Sequence, residues 1–260
     1  MKALGVPAAL LVGLTLAALF VGISVEDVHG DPQLKYVFAV LLVLSAGAYA
    51  WAVRIVVREP GNAWLVLGVA LLLRGAVLLA PPFLSSDMYR YVWDGMVQNS
   101  GISPYAYVPI DPALEALQDA AIYPNINRVE YAHTIYPPAA QMLFAAVAWL
   151  SPTILAMKAA MLGFEALAML CALRLLQDAR LPASRLAIYA WNPLAIWEFS
   201  GNGHVDAAAT GCIALALLLR ARRRDGLAGL ALAAAILVKF LPAIVVPALW
   251  RRGGWWRLMA

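Results

Sequence analysis

The chain has 260 residues, of which 63% are hydrophobic and 13% charged, and its formal net charge is +4. Soluble domains carry roughly 25% charged residues, so this composition excludes an ordinary soluble protein. Apolar runs close to the ~20 residues of a membrane-spanning helix recur along the chain, and no stretch alternates apolar and polar residues as a lipid-facing barrel does. The sequence therefore predicts an all-α integral membrane protein, without an indication of nucleic-acid binding.

The apolar runs predict a polytopic bundle of about seven or eight transmembrane or re-entrant helices in a single membrane domain, 1–260. In chain order the predicted helices cover 4–24, 35–57, 63–84, 137–150, 153–176, 185–200, 204–220 and 226–250. The first apolar run is longer than that of a typical signal peptide, which favours a retained helix. The helix over 137–150 reaches only about 21 Å, short of the ~30 Å hydrocarbon core. The segment 226–250 carries Lys239 and two prolines, which predicts a re-entrant or broken hairpin with Lys239 near its tip.

Charge placement predicts the orientation of the chain. Arginines mark the cytoplasmic side, in four clusters: Arg54 and Arg58; Arg174, Arg180 and Arg185; Arg220, Arg222, Arg223 and Arg224; and Arg251, Arg252 and Arg257. The long segment 85–136 holds six acidic residues against two arginines, together with seven of the ten tyrosines. We therefore expect this segment to be an extracytoplasmic loop. Its length indicates a functional role, and the stretch 86–100 within it has helical character.

Asp87 directly follows the third predicted helix, at the water–lipid boundary. A carboxylate there can act as a general base on a hydroxyl group, and it can equally cap the helix that follows. Asp94 lies seven residues later, on the same helical face. It is a candidate substrate ligand, and its i,i+4 spacing from Arg90 also fits a structural ion pair.

Two cations are predicted at membrane depth, Arg74 in the third helix and Lys239 in the broken last segment. Ionisable side chains at that depth indicate a partner or an anionic substrate, and a lipid phosphate is the natural anion for a cavity open to the bilayer. The alternative is an internal ion pair with an acid such as Glu165 or Glu198.

The turn at 201–206 contains His204 and Asp206. Their spacing alone is a weak metal signal, and no further histidine cluster supports it. A hydrogen-bonding or phosphate-contacting His204 is the preferred interpretation. No metal site and no cofactor is predicted.

Several ordered motifs over 63–250 resemble those of the GT-C glycosyltransferases, closest to the polyprenyl-phosphate-mannose-dependent mannosyltransferase branch. In the long loop they are Ser85-Ser86-Asp87-Met88-Tyr89-Arg90-Tyr91-Val92-Trp93-Asp94-Gly95, Gly101-Ile102-Ser103-Pro104-Tyr105 and Thr134-Ile135-Tyr136-Pro137-Pro138. Later motifs are Asn192-Pro193-Leu194, Gly203-His204-Val205-Asp206 and Lys239-Phe240-Leu241-Pro242. The resemblance makes 63–250 a GT-C-like core that follows two N-terminal helices in 1–62.

The resemblance implies a hexosyltransferase of the plasma (inner) membrane that works on its extracytoplasmic side among membrane lipids. It would move a sugar, preferably mannose, from a polyprenyl-phosphate donor to a lipid or glycan acceptor, without a metal and with inversion. Asp87 matches the position of the catalytic base. The candidate phosphate-binding residues are Arg90, His204, Lys239 and Arg74, and the candidate substrate-binding residues are Tyr89, Tyr91, Trp93, Asp94, Tyr136, Asn202 and Asp206.

Two departures from the family pattern keep other functions open. Relatives often carry paired acids where this chain has Ser86-Asp87, and they usually continue for several helices beyond the position of Ala260. The latter predicts a C-terminally truncated chain or a minimal core. The alternatives are a transporter or flippase for a lipid-linked or anionic substrate, since broken helices and buried cations also build transport sites, and a non-catalytic paralogue that acts as an assembly partner.

Overall fold

The computed structural model describes residues 2–27 and 32–249, which fold into helices joined by turns and loops. In chain order the α-helices are α1 (Lys2–Asp27), α2 (Pro32–Arg58), α3 (Ala63–Leu78), α4 (Asp87–Asn99), α5 (Pro138–Leu150), α6 (Ile154–Asp178), α7 (Ala187–Ala190), α8 (Pro193–Ala195), α9 (Asp206–Ala221), α10 (Asp225–Val238) and α11 (Val246–Leu249). Single 3₁₀ turns cover Pro112–Leu117, Tyr123–Asn125, Ala183–Leu186 and Leu241–Val245, and a π-helical turn covers Ile196–Gly201. The predicted C-terminal arginine cluster lies outside the described residues.

Three helices in the described part of the chain, α1, α2 and α6, are long and apolar enough to span a membrane. The number rises to four if the apolar helices on the two sides of the break at 202–205 form one span. Helices α3, α5 and α10 are apolar but shorter. The described residues therefore have the helical architecture of a membrane protein, while the count of seven or eight spans stays a prediction.

Prolines explain where the observed helices differ from the predicted ones. Helix α3 ends at Leu78, short of the predicted 84, ahead of Pro81 and Pro82, which lack the N–H that a helix needs. The predicted helix over 185–200 breaks before Pro193, where the Asn192 side chain caps α8 by accepting from the Leu194 N–H at 3.0 Å. The single helix predicted over 185–200 is therefore wrong, because Asn192-Pro193 starts a new helix.

The predicted break in the last segment is confirmed. Helix α10 ends at Val238, and Lys239 adopts an extended backbone (φ −154°, ψ 135°) before the 3₁₀ turn that contains Pro242. Helix α5 is likewise as short as predicted, because its 13 residues reach only about 20 Å at 1.5 Å per residue.

The chain divides into two compact units. Unit 1 comprises Met1–Phe83 and Met169–Asn202. Helices α1 and α2 pack as a hairpin, and α3 packs against α1 and α7. Trp191 is buried in the core of this unit, where its indole Nε1–H donates to the Val66 carbonyl at 2.9 Å. The burial of an aromatic ring with a satisfied polar atom fixes α3 against the turn after α7.

Unit 2 comprises Leu84–Ala168 and Gly203–Ala260, and it contains most of the predicted site residues. Helix α4 packs on α5, α5 on α10, and α10 on α9. Small residues, among them Ala228, Ala231 and Ala235, are buried on α10, and such residues let two helices approach closely. Helices α9 and α10 form a hairpin that brings the start of α9 next to the end of α10. The predicted boundaries of one membrane domain with a core at 63–250 stay a prediction.

Candidate active site

The first part of the long segment 85–136 forms helix α4. Asp87 is its first residue, where a carboxylate stabilises the positive end of the helix dipole, and Ser86 occupies the N-cap position. The helix stops at Asn99, and Gly101 follows with a φ of +81° that favours glycine. The helical character predicted for 86–100 is confirmed, and Asp87 lies in the first turn of the helix instead of at its cap.

Gly95 sets the distance between α4 and α5. A Cβ atom at this position would meet the carbonyl oxygen of Phe144 and would lie 2.7 Å from the Cβ of Ala148. Only glycine therefore fits at this helix crossing. The close approach brings polar side chains of α5 within hydrogen-bonding reach of α4.

The Asp94 carboxylate is the centre of a buried polar network. It is 1% exposed and accepts hydrogen bonds from Arg90 Nε at 2.7 Å, Thr134 Oγ1 at 2.5 Å and Gln141 Nε2 at 2.8 Å. Gln98 donates in turn to the Gln141 side-chain oxygen at 2.8 Å. The network joins α4, the end of the long loop and α5, so it fixes the shape of the loop around the helix.

Burial raises the pKa of Asp94, and the charge of Arg90 and the three hydrogen bonds lower it less than burial raises it. The Arg90 guanidinium also donates to the Ala132 carbonyl at 2.9 Å. The i,i+4 pair that the sequence indicated is therefore present. In the structure this pair holds α4 against the long loop, while the predicted roles of Arg90 in phosphate binding and of Asp94 in substrate binding stay predictions.

Two tyrosines lie near Asp87. The negative charge of Asp87 raises the pKa of both Tyr91 and Tyr136, so both phenols are within electrostatic reach of this carboxylate. Asp87 itself is half-buried. This arrangement brings together three residues predicted for the site, Asp87, Tyr91 and Tyr136.

Tyr91 and Tyr136 are packed in an aromatic cluster with Phe144. Tyr91 stacks on Phe144 at a centroid distance of 4.5 Å, and Tyr136 meets both rings edge-on, at 4.9 Å from Tyr91 and 5.5 Å from Phe144. Burial is the main cause that raises the pKa of each phenol, and the nearby Asp87 charge raises it further. Both phenols therefore stay protonated and act as hydrogen-bond donors.

The turn before α9 lies against the start of α4. Gly203 adopts a φ of +68°, and a Cβ there would meet the Met88 side chain and lie 3.0 Å from Lys158 Cγ. A larger residue would push the turn away from the residue that follows Asp87. The glycine therefore keeps the turn with the half-buried His204 close to the start of α4.

Lys239 and Asp206 form an ion pair at the open end of the α9–α10 hairpin. Lys239 Nζ lies 2.6 and 2.7 Å from the two carboxylate oxygens of Asp206. The two side chains are 44% and 34% exposed. Such an exposed pair is worth only about 0–1 kcal/mol, so an incoming anion can compete for the ammonium group at little cost.

The other predicted site residues have different surroundings. Arg74 and Asn202 belong to unit 1. Arg74 is 1% exposed. Its Nη1 donates to the main-chain carbonyls of Ala70 at 3.2 Å and Ala190 at 2.7 Å, so the guanidinium binds to the backbone of two helices. Asn202 is buried and ends the π-helical turn. In unit 2, Trp93 is buried beside the Tyr123 ring, while Tyr89 is half-buried on α4.

The sequence interpretation missed Thr134 and Gln141. Gln141 is a lone amide inside the otherwise apolar helix α5, which is a detectable sign of a buried polar partner. Across residues 2–27 and 32–249, no group of three or more His, Cys, Asp or Glu side chains is arranged to hold a metal ion.

The comparisons with known proteins decide the family. The model of the MptA/B family, described as the alpha-(1->6)-mannopyranosyltransferase N-terminal domain, matches residues 34–252. The chain belongs to this mannosyltransferase family. No curated protein and no solved structure matches it.

Family membership makes the protein a membrane glycosyltransferase of the mannosyl-transferring type, with a sugar donor and an acceptor as its substrates. The matched residues contain Asp87, the Asp94 network and the Lys239–Asp206 pair. The expectation of a mannosyltransferase is therefore confirmed at the level of the family.

Proposed function

We propose that this mannosyltransferase moves mannose from a polyprenyl-phosphate donor to a hydroxyl group of a lipid or glycan acceptor, with Asp87 as the general base. The observation that carries the proposal is the half-buried Asp87 at the start of α4, next to the turn that Gly203 packs against Met88. Of the two candidate carboxylates on α4, Asp94 is buried and bound by three donors, whereas Asp87 is accessible. Only an accessible carboxylate can take a proton from a substrate.

The reaction is a single displacement with inversion at the anomeric carbon. Asp87 accepts the proton of the acceptor hydroxyl while the acceptor oxygen forms a bond to C1 of mannose. The bond between C1 and the donor phosphate oxygen breaks, and both of its electrons leave with the polyprenyl phosphate. The family name specifies an α-(1→6) linkage, and inversion gives an α product only from a β-linked donor. We therefore infer a β-mannosyl phosphate donor.

The leaving phosphate gains negative charge in the transition state, and a cation beside it lowers the barrier. Lys239 is the best candidate, because its ammonium group is 44% exposed and is held by an ion pair that an anion can replace. His204 is the second candidate, since it lies in the turn that Gly203 packs against the start of α4. Both belong to unit 2, as does Asp87.

The acidic long loop supports an active site on the extracytoplasmic side of the plasma membrane. Segment 85–136 carries six acidic residues, while the arginines concentrate in the opposite connections. The positive-inside rule places such a loop outside. Cysteine substitution in the loop with a membrane-impermeant thiol reagent tests this side in intact cells.

The transfer experiment uses membranes that contain the full chain, a labelled β-mannosyl polyprenyl phosphate and an α-mannoside acceptor. We expect Asp87→Asn to abolish transfer, because the amide keeps the shape of the side chain but cannot accept the proton. The matched control is Glu130→Gln, an exposed acid in the same segment, which should transfer normally. Full activity of Asp87→Asn would remove the base from the proposal, and donor cleavage without any acceptor product would contradict a transferase.

A further inference from the structure

Tyr105 is an exposed aromatic residue of the long segment 85–136, and the proposed function gives it no role. The residue is 45% exposed, and its hydroxyl donates to the main-chain carbonyl of Tyr136 at 2.7 Å. We propose that the Tyr105 ring is a stacking platform for a sugar residue of the acceptor, so that the acceptor of this mannosyltransferase is a glycan. This inference rests on the proposed transfer to a lipid or glycan acceptor.

The backbone around Tyr105 is tied to the end of helix α4. Just after α4, the Ile102 N–H donates to the Val97 carbonyl at 3.2 Å. The Ala106 N–H donates to the Ser103 carbonyl at 3.1 Å, which closes a tight turn with Tyr105 inside it. The residue is therefore held at both ends, by its backbone and by its hydroxyl. A side chain that is already immobilised loses little further entropy when a ligand packs on it.

Tyr105 is connected to the face of α4 that carries the proposed base. It bonds to Tyr136, whose ring meets the Tyr91 ring edge-on at a centroid distance of 4.9 Å. Tyr91 follows Asp87 by four residues on α4, so both lie on the same face of this helix. Two residues, Tyr136 and Tyr91, therefore join the platform to the face of α4 where the acceptor hydroxyl would lose its proton.

The hydroxyl of Tyr105 distinguishes this residue from a tyrosine that anchors a protein at the membrane interface. Interfacial tyrosines keep the hydroxyl in the wet headgroup region. The Tyr105 hydroxyl instead donates to the protein main chain, so the ring is what this residue offers to a ligand. An aromatic ring has a negative face that attracts C–H groups, and one face of a sugar ring is made of C–H groups. A sugar residue therefore suits the exposed ring.

The charge of the surrounding segment favours a neutral acceptor. Segment 85–136 carries six acidic residues and two arginines, and one of these arginines, Arg90, is paired with Asp94. An acidic surface repels an anionic group such as a lipid phosphate and leaves a neutral sugar unaffected. Of the two acceptor classes in the proposed function, the loop therefore fits the glycan.

The kinetic test is Tyr105→Leu, with labelled β-mannosyl polyprenyl phosphate as donor and a linear α-(1→6)-mannotriose as acceptor. We expect the KM for mannotriose to rise about three- to tenfold, the binding factor typical of one aromatic contact, while the KM for the donor stays within about twofold. Tyr105→Phe keeps the ring and should lie closer to the wild type than Tyr105→Leu. The control is Tyr131→Leu, a 69% exposed tyrosine of the same segment, which should leave the KM for mannotriose unchanged.

Three kinetic outcomes overturn the platform. The first is a wild-type KM for mannotriose in Tyr105→Leu. The second is an equal loss in Tyr105→Phe and Tyr105→Leu, because the hydroxyl that ties the loop together would then be the important group. The third is a rise in the donor KM alone, because the ring would then serve the donor lipid.

A second measurement reports acceptor binding without any transfer. The full chain with Asp87→Asn is labelled with 3-fluorotyrosine in micelles, and the ¹⁹F resonance of residue 105 is identified by its disappearance in Tyr105→Phe. We expect mannotriose to shift this resonance and to leave that of Tyr131 in place. A resonance that moves with added anionic lipid and not with mannotriose overturns the proposal and makes Tyr105 an interfacial residue.

The two proposals fail in different ways. If mannotriose shifts the Tyr105 resonance but the wild type transfers no mannose, the acceptor site stands and the proposed function fails. If the wild type transfers mannose to mannotriose and the Tyr105 resonance stays in place, the proposed function stands and the acceptor site fails.

Discussion

Asp94→Asn is the sharpest test of how α4 is held in place. The substitution keeps the size of the side chain but removes the negative charge opposite Arg90, whose guanidinium is then buried with the Ala132 carbonyl as its remaining observed partner. Removing one partner of a buried ion pair typically costs about 3–5 kcal/mol. The asparagine oxygen can still accept from Thr134 or Gln141, and a retained hydrogen bond is worth about 1 kcal/mol. We therefore expect a loss of about 2–4 kcal/mol in the free energy of unfolding.

The measurement is unfolding in mixed micelles, with rising dodecyl sulfate and tryptophan fluorescence as the readout. The control is Glu115→Gln, the same acid-to-amide change at an exposed position of the loop, which should stay within about 0.5 kcal/mol of the wild type. The double variant Arg90→Met/Asp94→Leu should lose less than the sum of its single changes, because it leaves no unpaired buried charge. Equal stability of Asp94→Asn and Glu115→Gln would refute the role of the network.

Two further predictions follow from the geometry. Gly95→Ala should destabilise the fold by about 1–3 kcal/mol in the same titration, because the Cβ of the alanine would meet the main chain of α5. The control is Gly75→Ala in α3, where a Cβ meets open space, and this variant should be as stable as the wild type or more stable. Lys239→Ala should raise the KM for the donor about tenfold and leave the KM for the acceptor unchanged. The control is Asp206→Asn, which removes the acid paired with the Lys239 ammonium group and should not raise the donor KM. An unchanged donor KM in Lys239→Ala would remove Lys239 from the phosphate site.

Short-range signals in the sequence determined much of the fold. Apolar runs identified the long helices, and the break at Lys239 followed from the nearby Pro242, because the effects of length, capping and proline act within one or two turns. The same local reasoning placed Asp87 at the start of a helix in an acidic loop. This reasoning predicted one helix over 185–200 and was wrong at Asn192-Pro193, where the Asn192 cap and Pro193 start a new helix inside the apolar run.

Only the tertiary structure decided which polar groups meet. Arg90 and Asp94 fit both a substrate site and a structural pair in the sequence; the structure shows the pair, and the close crossing at Gly95 adds Gln141 to it. Lys239 was predicted to bind phosphate, and the α9–α10 hairpin placed Asp206 on it. These contacts join residues far apart in the sequence, so helix packing selects them, and neither spacing nor residue type encodes the distance. The sequence by itself determined the long helices and the carboxylate at the start of α4, while packing determined that Tyr136 meets Tyr91 and Phe144 and that Asp94 is enclosed by its donors.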